Sequence, residues 1–594
     1  MIKQRGGFPD DFAPGLLSLG HLYLLATSRE TDWSFVKNHY TIIETERSLF
    51  ASKTARTFMS ETLTPTASLN LSLPRVGINP WFIAITVTLA TFMELLDTAI
   101  ANVALPHIAG GLAVSTDEST WVLTSYLVSN AVVLPLSAWL SRLFGRKRYY
   151  MICVTLFTVS SLLCGFAPSL GALIFFRVLQ GVGGGGLAPV EQAILVDTFP
   201  AAKRAAAFAL YSMAIVTAPA IGPPLGGWIT DHWSWRWVFF INIPIGIISL
   251  ILTSRVVSDP PAFKREVEAA RKDGKLKIDG WGIFSVAMAF ACLEVVLDRG
   301  QTEDWFESHF IVIFFSIAMV ALLFTIVWEW RHPDPVVEIR LLADRNFALA
   351  NIFYFMFGFT LYGSTVLIPQ MMQRLYGYSA TDAGLVLGPG AFVIVLLAPV
   401  VVRILPKLGV KRLIGFGFFV FGMAMWLFAS YTLTTDYRHE ALARALQGLG
   451  IATLFVPVSQ LAYSNLPINK NNKASSLTNL FRNQGGSFGI AFVTTVLARR
   501  TQFHQSVLVA HASLFDQHYR QFLAKLTSYF ATHGFSHADA AVHAQAEAFN
   551  LLQRQASFLA FNDCFTALGW FVLMGVPLVF LIRKFKLGGG PGGH

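Results

Sequence analysis

Charge is what this chain has least of. Asp, Glu, Lys and Arg make up 13% of its 594 residues, whereas hydrophobic residues make up 54%, and the mean hydropathy is +0.53. A soluble domain carries about a quarter charged residues, so the composition excludes one and implies a polytopic membrane protein. Cysteine is nearly missing: Cys153, Cys164, Cys292 and Cys564 each fall within or at the edge of an apolar run. Nothing in that pattern calls for a disulfide framework or a metal site. The chain also lacks G-x-x-x-x-G-K-[ST], which argues against a nucleotide-driven pump. No nucleophile with an adjacent base stands out, as a membrane-embedded enzyme acting on lipids would need. The net charge of +10 does not point to nucleic acid, because the basic residues sit in short loops between apolar runs, where topology places them.

What the chain has in abundance is runs long enough to cross a bilayer as helices, about 20 apolar residues each. Six fall near 81–105, 120–140, 150–167, 170–190, 205–229 and 236–253; two near 281–297 and 310–330; six more near 345–369, 383–404, 411–430, 439–463, 478–497 and 561–582. The expectation is an all-α polytopic protein of fourteen spans. The run at 281–297 is the shortest of them and contains Glu294.

Residues 1–79 form a polar, irregular extension, read as disordered or outside the native product. Met59 opens a short polar lead before the first run, so a natural start there rather than at Met1 is an expectation that N-terminal sequencing would test. Residues 80–253 form a six-helix bundle, 254–279 a charged linker, 280–331 two inserted helices, and 332–587 a second six-helix bundle that includes a 498–560 loop. A Gly-rich tail, 588–594, closes the chain.

Arg142, Arg146, Lys147 and Arg148 follow span two, Lys203 and Arg204 span four, and Arg403, Lys407, Lys411 and Arg412 span ten. Those loops are expected to be cytoplasmic, with both termini on the same side. The 498–560 loop then lies outside, with Val507, Leu514, Phe522, Leu526 and Tyr529 near one helical face, which suggests one or two amphipathic helices. Its histidines read as a solvated face.

A repeat supports the division into halves. FGRKR at Phe144 resembles LGVKR at Leu408, and RVLQG at Arg177 resembles RALQG at Arg444; the offsets are 409 − 145 = 264 and 444 − 177 = 267. Repeated halves that rock about a site near the midplane are a common transporter plan.

Span one, PWFIAITVTLATFMELLDTAIANVALP, carries Glu94 and Asp97 three residues apart, on one helical face. A charge at the bilayer centre costs at least about 2.5–3.5 kcal/mol, so a pair of acids there marks a functional site. Arg177 in span four is the expected partner. Gly181, Gly183 and Gly186 fit G-x-G-x-x-G formally, but inside an apolar helix with no strand before it, so close helix packing is the better reading. Glu191 is expected at a hydrated helix end. In span five, Pro219, Gly222, Pro223, Pro224, Gly226 and Gly227 suggest a deformable seam between the halves; FRNQGGSFGIAF, with Arg482, echoes it in span thirteen.

LDTAIANVALP, FGRKR, RVLQGVGGGG and APAIGPPLGG, in this order, resemble the major facilitator superfamily. With LDRG at Leu297, DWF at Asp304, YGYSATDAG at Tyr376 and the large outer loop, the chain looks like the fourteen-span drug:proton antiporters of the EmrB/QacA subfamily, on the EmrB side. The resemblance implies a major facilitator fold of two six-helix bundles plus two inserted helices, and proton-driven export of drug-like compounds from the bacterial inner membrane, with no cofactor beyond the proton gradient. It implies Asp97 as the span-one acid and Arg177 as the span-four arginine, followed by Gln180 and Gly181. Gly145, Arg146 and Lys147 fall in the basic loop, and Pro219, Gly222, Pro223, Gly226 and Gly227 in the antiporter motif. It also implies a periplasmic membrane-fusion adaptor and an outer-membrane channel as partners, besides lipid and the small hydrophobic substrate. Where the family has an Asp in the loop after span two, this chain has Arg142, which puts the usual gate contact in doubt. Glu94 is outside the family motif.

The expected function is proton-coupled antiport of hydrophobic or amphipathic compounds. Phe353, Tyr354, Phe357 and Tyr362 in span nine are the candidates to contact substrate between the halves. A proton symporter for a small nutrient is the alternative, which the span-five motif disfavours.

Overall fold

A computed structural model describes residues 79–200, 203–259, 268, 279–466, 470–513 and 515–585. The region before residue 79, most of the charged linker and the C-terminal tail lie outside the described residues, and with them the expectation of a start at Met59.

The apolar runs become helices: α1 Pro80–Leu112, α2 Trp121–Phe144, α3 Arg146–Gly165, α4 Leu170–Thr198, α5 Arg204–His232, α6 Trp237–Val256, α7 Gly280–Arg299 and α8 His309–Arg331. The second set is α9 Arg345–Leu375, α10 Thr381–Leu408, α11 Val410–Ala429, α12 Tyr437–Ala462, α13 Asn471–His511, α14 Gln517–Thr532 and α15 His537–Leu573. Among the described residues thirteen helices are long and apolar enough to cross a membrane. The run expected as span thirteen lies in α13, which is 41 residues long. Its Asn, Arg, Gln and Ser residues lower its hydropathy, and they are buried: Asn479, Arg482 and Gln484 are all enclosed by protein. A helix shielded by its neighbours need not be apolar all round.

Local signals set the ends. Asn79 accepts a hydrogen bond from Trp81 N (3.0 Å) with Pro80 at the first helical position, the arrangement that suits an N-terminus whose first amides lack partners. Asp279 and Asp344 cap α7 and α9 through the amides of Gly282 and Phe347, both at 2.8 Å. Gly145 (φ +89°) joins α2 to α3, and Gly409 (φ +79°) joins α10 to α11. Both one-residue joints need positive φ, which only glycine adopts cheaply; they are the glycines of the two repeated basic loops.

The halves repeat in three dimensions. In the first, α1 packs on α5 and α6, α2 on α4, and α3 on α4 and α6; in the second, α9 packs on α13 and α15, α10 on α12, and α11 on α12 and α15. Reading α9–α13 and α15 as the counterparts of α1–α6, the pairings are the same. Between the halves α5 meets α10 and α12, and α13 meets α2 and α4. The inserted hairpin α7–α8 stands against α2 and touches α13 through α7. Most of α8 is uncovered, with Val320, Leu323, Phe324 and Val327 exposed, as befits a helix facing lipid. The 498–560 region is helical: α13 runs on to His511, and α14 folds back along α15. Phe522 and Tyr529 are exposed there, while Phe530 meets His543 of α15 with rings 5.7 Å apart.

Candidate functional site

Three residues into a turn from Glu94, Asp97 is wholly enclosed. Its Oδ2 accepts from Arg177 Nη1 (2.6 Å), and its Oδ1 from Gln180 Nε2 (3.0 Å) and Asn242 Nδ2 (2.6 Å). Arg177 and Gln180 lie one turn apart on α4, so a single helical face presents both; Asn242 comes from α6. The donors are themselves tied down. Arg177 Nε donates to Val122 O (3.0 Å), Arg177 Nη1 also reaches Gln180 Oε1 (2.7 Å), and Ser161 Oγ accepts from both Gln180 (3.2 Å) and Asn242 (3.0 Å). Asp97 and Arg177 both have 0% exposure. Burying such a pair is expensive for each ion, and removing one member leaves the other charge unpaired, at about 3–5 kcal/mol.

Glu94 stands apart from that pair. Its Oε1 accepts from Asn130 Nδ2 (3.0 Å) and Tyr126 Oη (3.3 Å). Tyr126 links the two acids, because its ring also faces the Arg177 guanidinium at 4.3 Å, a favourable cation–π geometry.

Glu191 is not at a hydrated helix end. It has 0% exposure and accepts from Thr88 Oγ1 of α1 at 2.6 Å. The expected span, 170–190, ended too early: α4 runs on to Thr198, so Glu191 lies two turns inside its basic end. Another buried group, Arg482, donates from Nη1 to Tyr211 Oη across the halves (2.9 Å) and lies within electrostatic range of Glu94 and Glu191. Asn242 and Glu191 carried one sequence signal each, a polar residue inside an apolar run; Arg482 showed itself only as part of the span-thirteen echo.

The glycines pack helices. A Cβ at Gly181 would strike Ser129 and Tyr126 of α2, and one at Gly183 the α3 backbone at Phe157 (2.7 Å). The span-five glycines do not form a seam between the halves. Gly222 fits against Ala99, and Gly226 against Ile100, so this face meets α1 of the same half, one turn from Asp97. The small side chains are needed where two helices of one bundle approach, whereas Ile215, Val216 and Pro219, one to two turns earlier on α5, border the second half. Pro224, at the end away from the basic loops, packs on Gly384 of α10; Pro223 and Gly227 belong to the same stretch of α5. Gly489, with 489 − 222 = 267, repeats the Gly222 role against Phe359 of α9.

Of the aromatic candidates, Phe353, Tyr354 and Phe357 do not face the first half. They pack inside the second half with Phe418, Leu454, Phe455 and Val458, leaving no room for a water among them, because α9 turns that face toward α11 and α12. Tyr362, two turns further along, lines a narrow cavity of about 10 Å³ between the halves with Ile215, Val216, Pro219, Leu361, Thr365 and Arg444.

At the basic-loop end the halves are latched. Arg142 pairs with Asp334 (2.9 Å) and Lys473 with Glu338 (2.7 Å), both acids lying in the connector after α8. Arg146 pairs with Asp197 at the end of α4, to which Asn471 also donates (2.9 Å). Ser137 of α2 and Ser476 of α13 meet at 2.7 Å. Lys147 is held by Asp259 through its amide (2.9 Å) and by Ser254 O through Nζ (2.6 Å), and Gly145 lies beside Asp259. Thus Arg142, where the family has an acid, finds its counter-charge in the connector. Burial raises the Asp334 and Glu338 carboxyls, but Arg142 and Lys473 beside Asp334, and Lys473 and Lys470 beside Glu338, outweigh it and hold both below the usual carboxylate range. No group of three or more His, Cys, Asp and Glu residues is placed to hold a metal ion among the described residues.

A family model described as Major Facilitator Superfamily matches residues 87–490. The chain is 34% identical over 534 residues to the multidrug export protein EmrB of Escherichia coli K12, covering 88% of this chain and 99% of that one. It is 37% identical to EmrB of Haemophilus influenzae over 73% of this chain and 84% of that one, and 34% identical to the fatty acid resistance protein FarB of Neisseria gonorrhoeae over 86% and 98%. Among solved structures, the proton:xylose symporter XylE superposes with a TM-score of 0.52 at 14% identity, over 84% of this chain and 96% of that one. At that identity the likeness is one of fold.

Proposed function

The chain belongs to the Major Facilitator Superfamily, is a multi-pass membrane transporter and not an enzyme, and from that premise we propose that it exports hydrophobic or amphipathic drug-like compounds in exchange for protons. Two of the relatives that cover most of its length are multidrug exporters by name. The observation that carries proton coupling is the Asp97 network: one carboxylate, fully buried, is balanced by one guanidinium.

A proton on Asp97 removes the negative charge and leaves Arg177 uncompensated, so the network has to rearrange. The cost of breaking such a pair, about 3–5 kcal/mol, is comparable to what one elementary charge gains across the membrane, about 2.3 kcal/mol per 100 mV. One turn beyond Asp97, Ala99 and Ile100 carry the Gly222/Gly226 face of α5, and an earlier stretch of α5, Ile215 to Pro219, borders the cavity between the halves. A shift of α1 is therefore passed to α5 and to the cavity wall. In this reading Glu94 senses the state of Arg177 through Tyr126, and Gly145, Arg146 and Lys147 hold the basic end closed. An apolar wall gives broad selectivity, because hydrophobic burial is non-directional.

We place the protein in the bacterial inner membrane with both termini in the cytoplasm, following the basic loops, and assign the outer α13–α15 region to a periplasmic adaptor that leads to an outer-membrane channel. No cofactor enters the cycle. The test is substrate-induced release of a respiration-generated pH gradient in inside-out vesicles. Release by drug-like compounds supports antiport; no release by a broad panel overturns it.

A further inference from the structure

Both halves carry the same Arg-x-x-Gln step, but the acid that accompanies it in the first half has no counterpart in the second. Adding 267 to positions 97, 177 and 180 gives 364, 444 and 447, which are Ser, Arg and Gln. The contacts repeat as the spacing does. Gln447 Nε2 donates to Ser364 Oγ (2.7 Å) as Gln180 Nε2 donates to Asp97 Oδ1 (3.0 Å), and Arg444 Nη1 donates to Gln447 Oε1 as Arg177 Nη1 does to Gln180 Oε1. A hydroxyl thus occupies the carboxylate position.

Arg444 is 2% exposed, and among the described residues no carboxylate lies within ion-pair distance of it. Glu440, one turn earlier on α12, does not pair with it. Its Nε has no acceptor and lies against Gly390, whereas Arg177 Nε has Val122 O. A guanidinium stays protonated throughout the physiological range, so the second half holds a buried cation without its counter-charge, a costly state unless an anion is supplied.

The side chain borders the cavity between the halves. Ile215, Val216 and Pro219 of α5 and Leu361 of α9 give it apolar walls, and Tyr362 and Thr365 bring hydroxyls. Arg482, within electrostatic range of Tyr362, adds positive potential. The acid that faces this region from the first half, Glu94, is occupied by Asn130 and Tyr126.

We propose that Arg444 is an anion-accepting subsite of this cavity, and that it takes the carboxylate head of an amphipathic substrate whose apolar part lies against the α5 and α9 walls. The substrate then does for Arg444 what Asp97 does for Arg177, except that it arrives and leaves. The assignment rests on the exporter reading for the passage of the substrate, but its binding can be measured without transport.

The full chain in lipid nanodiscs is titrated with 11-(dansylamino)undecanoic acid and with its methyl ester, empty nanodiscs giving the lipid background. Charge-assisted hydrogen bonds predict about tenfold or greater preference for the acid. Arg444→Gln lowers the preference to within about threefold without weakening the ester. Ser364→Asp, which supplies the counter-charge internally as Asp97 does, removes the preference while the protein stays folded. Equal binding of acid and ester by the unaltered protein, or an unchanged preference in both variants, overturns the proposal. So does equal displacement of the acid by chloride at matched concentration, since the subsite would then belong to an inorganic anion. Acid binding that depends on Arg444 in a protein that moves no compound against a proton gradient would sink the exporter reading and leave the subsite standing.

Discussion

Arg177 Nη1 lies 2.6 Å from Asp97 Oδ2, and neither side chain has any exposed surface. Two ions so placed are energetically one unit. Removing either should be worse than removing both: Arg177→Gln is expected to lower stability by about 3–5 kcal/mol, and adding Asp97→Asn to it should recover part of that loss. Thermal unfolding of the four forms in one detergent measures the coupling. Additive losses would mean that the pair is not a unit.

The Gly222 face of α5 is close enough to Ala99 that no side chain fits between. Gly222→Ala should insert in the membrane but transport poorly, and Ala99→Gly should restore it by returning the missing space. Efflux of a fluorescent substrate from cells expressing each form is the measurement. Normal efflux by Gly222→Ala alone would show that this contact does not carry the motion.

Arg142 and Lys473 close the basic end on Asp334 and Glu338. Ser476, 3% exposed beside Ser137, reports on that closure once changed to cysteine, since the four native cysteines are buried. A thiol reagent should label Ser476→Cys slowly, and at least about tenfold faster when Arg142→Glu is added, because like charges then face each other across the latch. Pairing Arg142→Asp with Asp334→Arg should restore protection.

The same latch has a defined pH behaviour. Both acids are held below their ordinary pKa when the end is closed. A depressed pKa contributes stability above the ordinary carboxylate value and loses it as pH falls through the depressed one. Labelling of Ser476→Cys should therefore be flat between about pH 6 and 8 and rise only in acid below about pH 4. A rise near neutrality would assign the opening to other groups.

The fold was largely legible because bilayer physics leaves few options: each run of about 20 apolar residues must become a helix. Arg177 and Asp97 could be paired in advance for the same reason, since an isolated ion inside the membrane needs a partner. Hydropathy was less informative where protein replaces lipid as the surroundings. It places α13 at 478–497 and leaves Asn479, Arg482 and Gln484 unexplained, although Asn479 and Arg482 bond to the first half and Gln484 to Glu294 of α7. Direction around a helix was harder still. Phe353, Tyr354 and Phe357 lie on the same helix as Tyr362, and only packing shows that three face their own bundle and one the cavity. Ser364 was silent because a serine in an apolar run is ordinary; its meaning appears only when it is superposed on Asp97.

Asp97 as the proton carrier is the central claim, and proton exchange on substrate binding tests it most directly. The protein in weakly buffered detergent solution with a pH indicator is mixed with a substrate found by the vesicle assay. The unaltered protein should release protons as it binds substrate, drawn from the molecules in which Asp97 is protonated and parted from Arg177. Asp97→Asn should bind the substrate and release none. Proton release by Asp97→Asn equal to that of the unaltered protein would contradict the account.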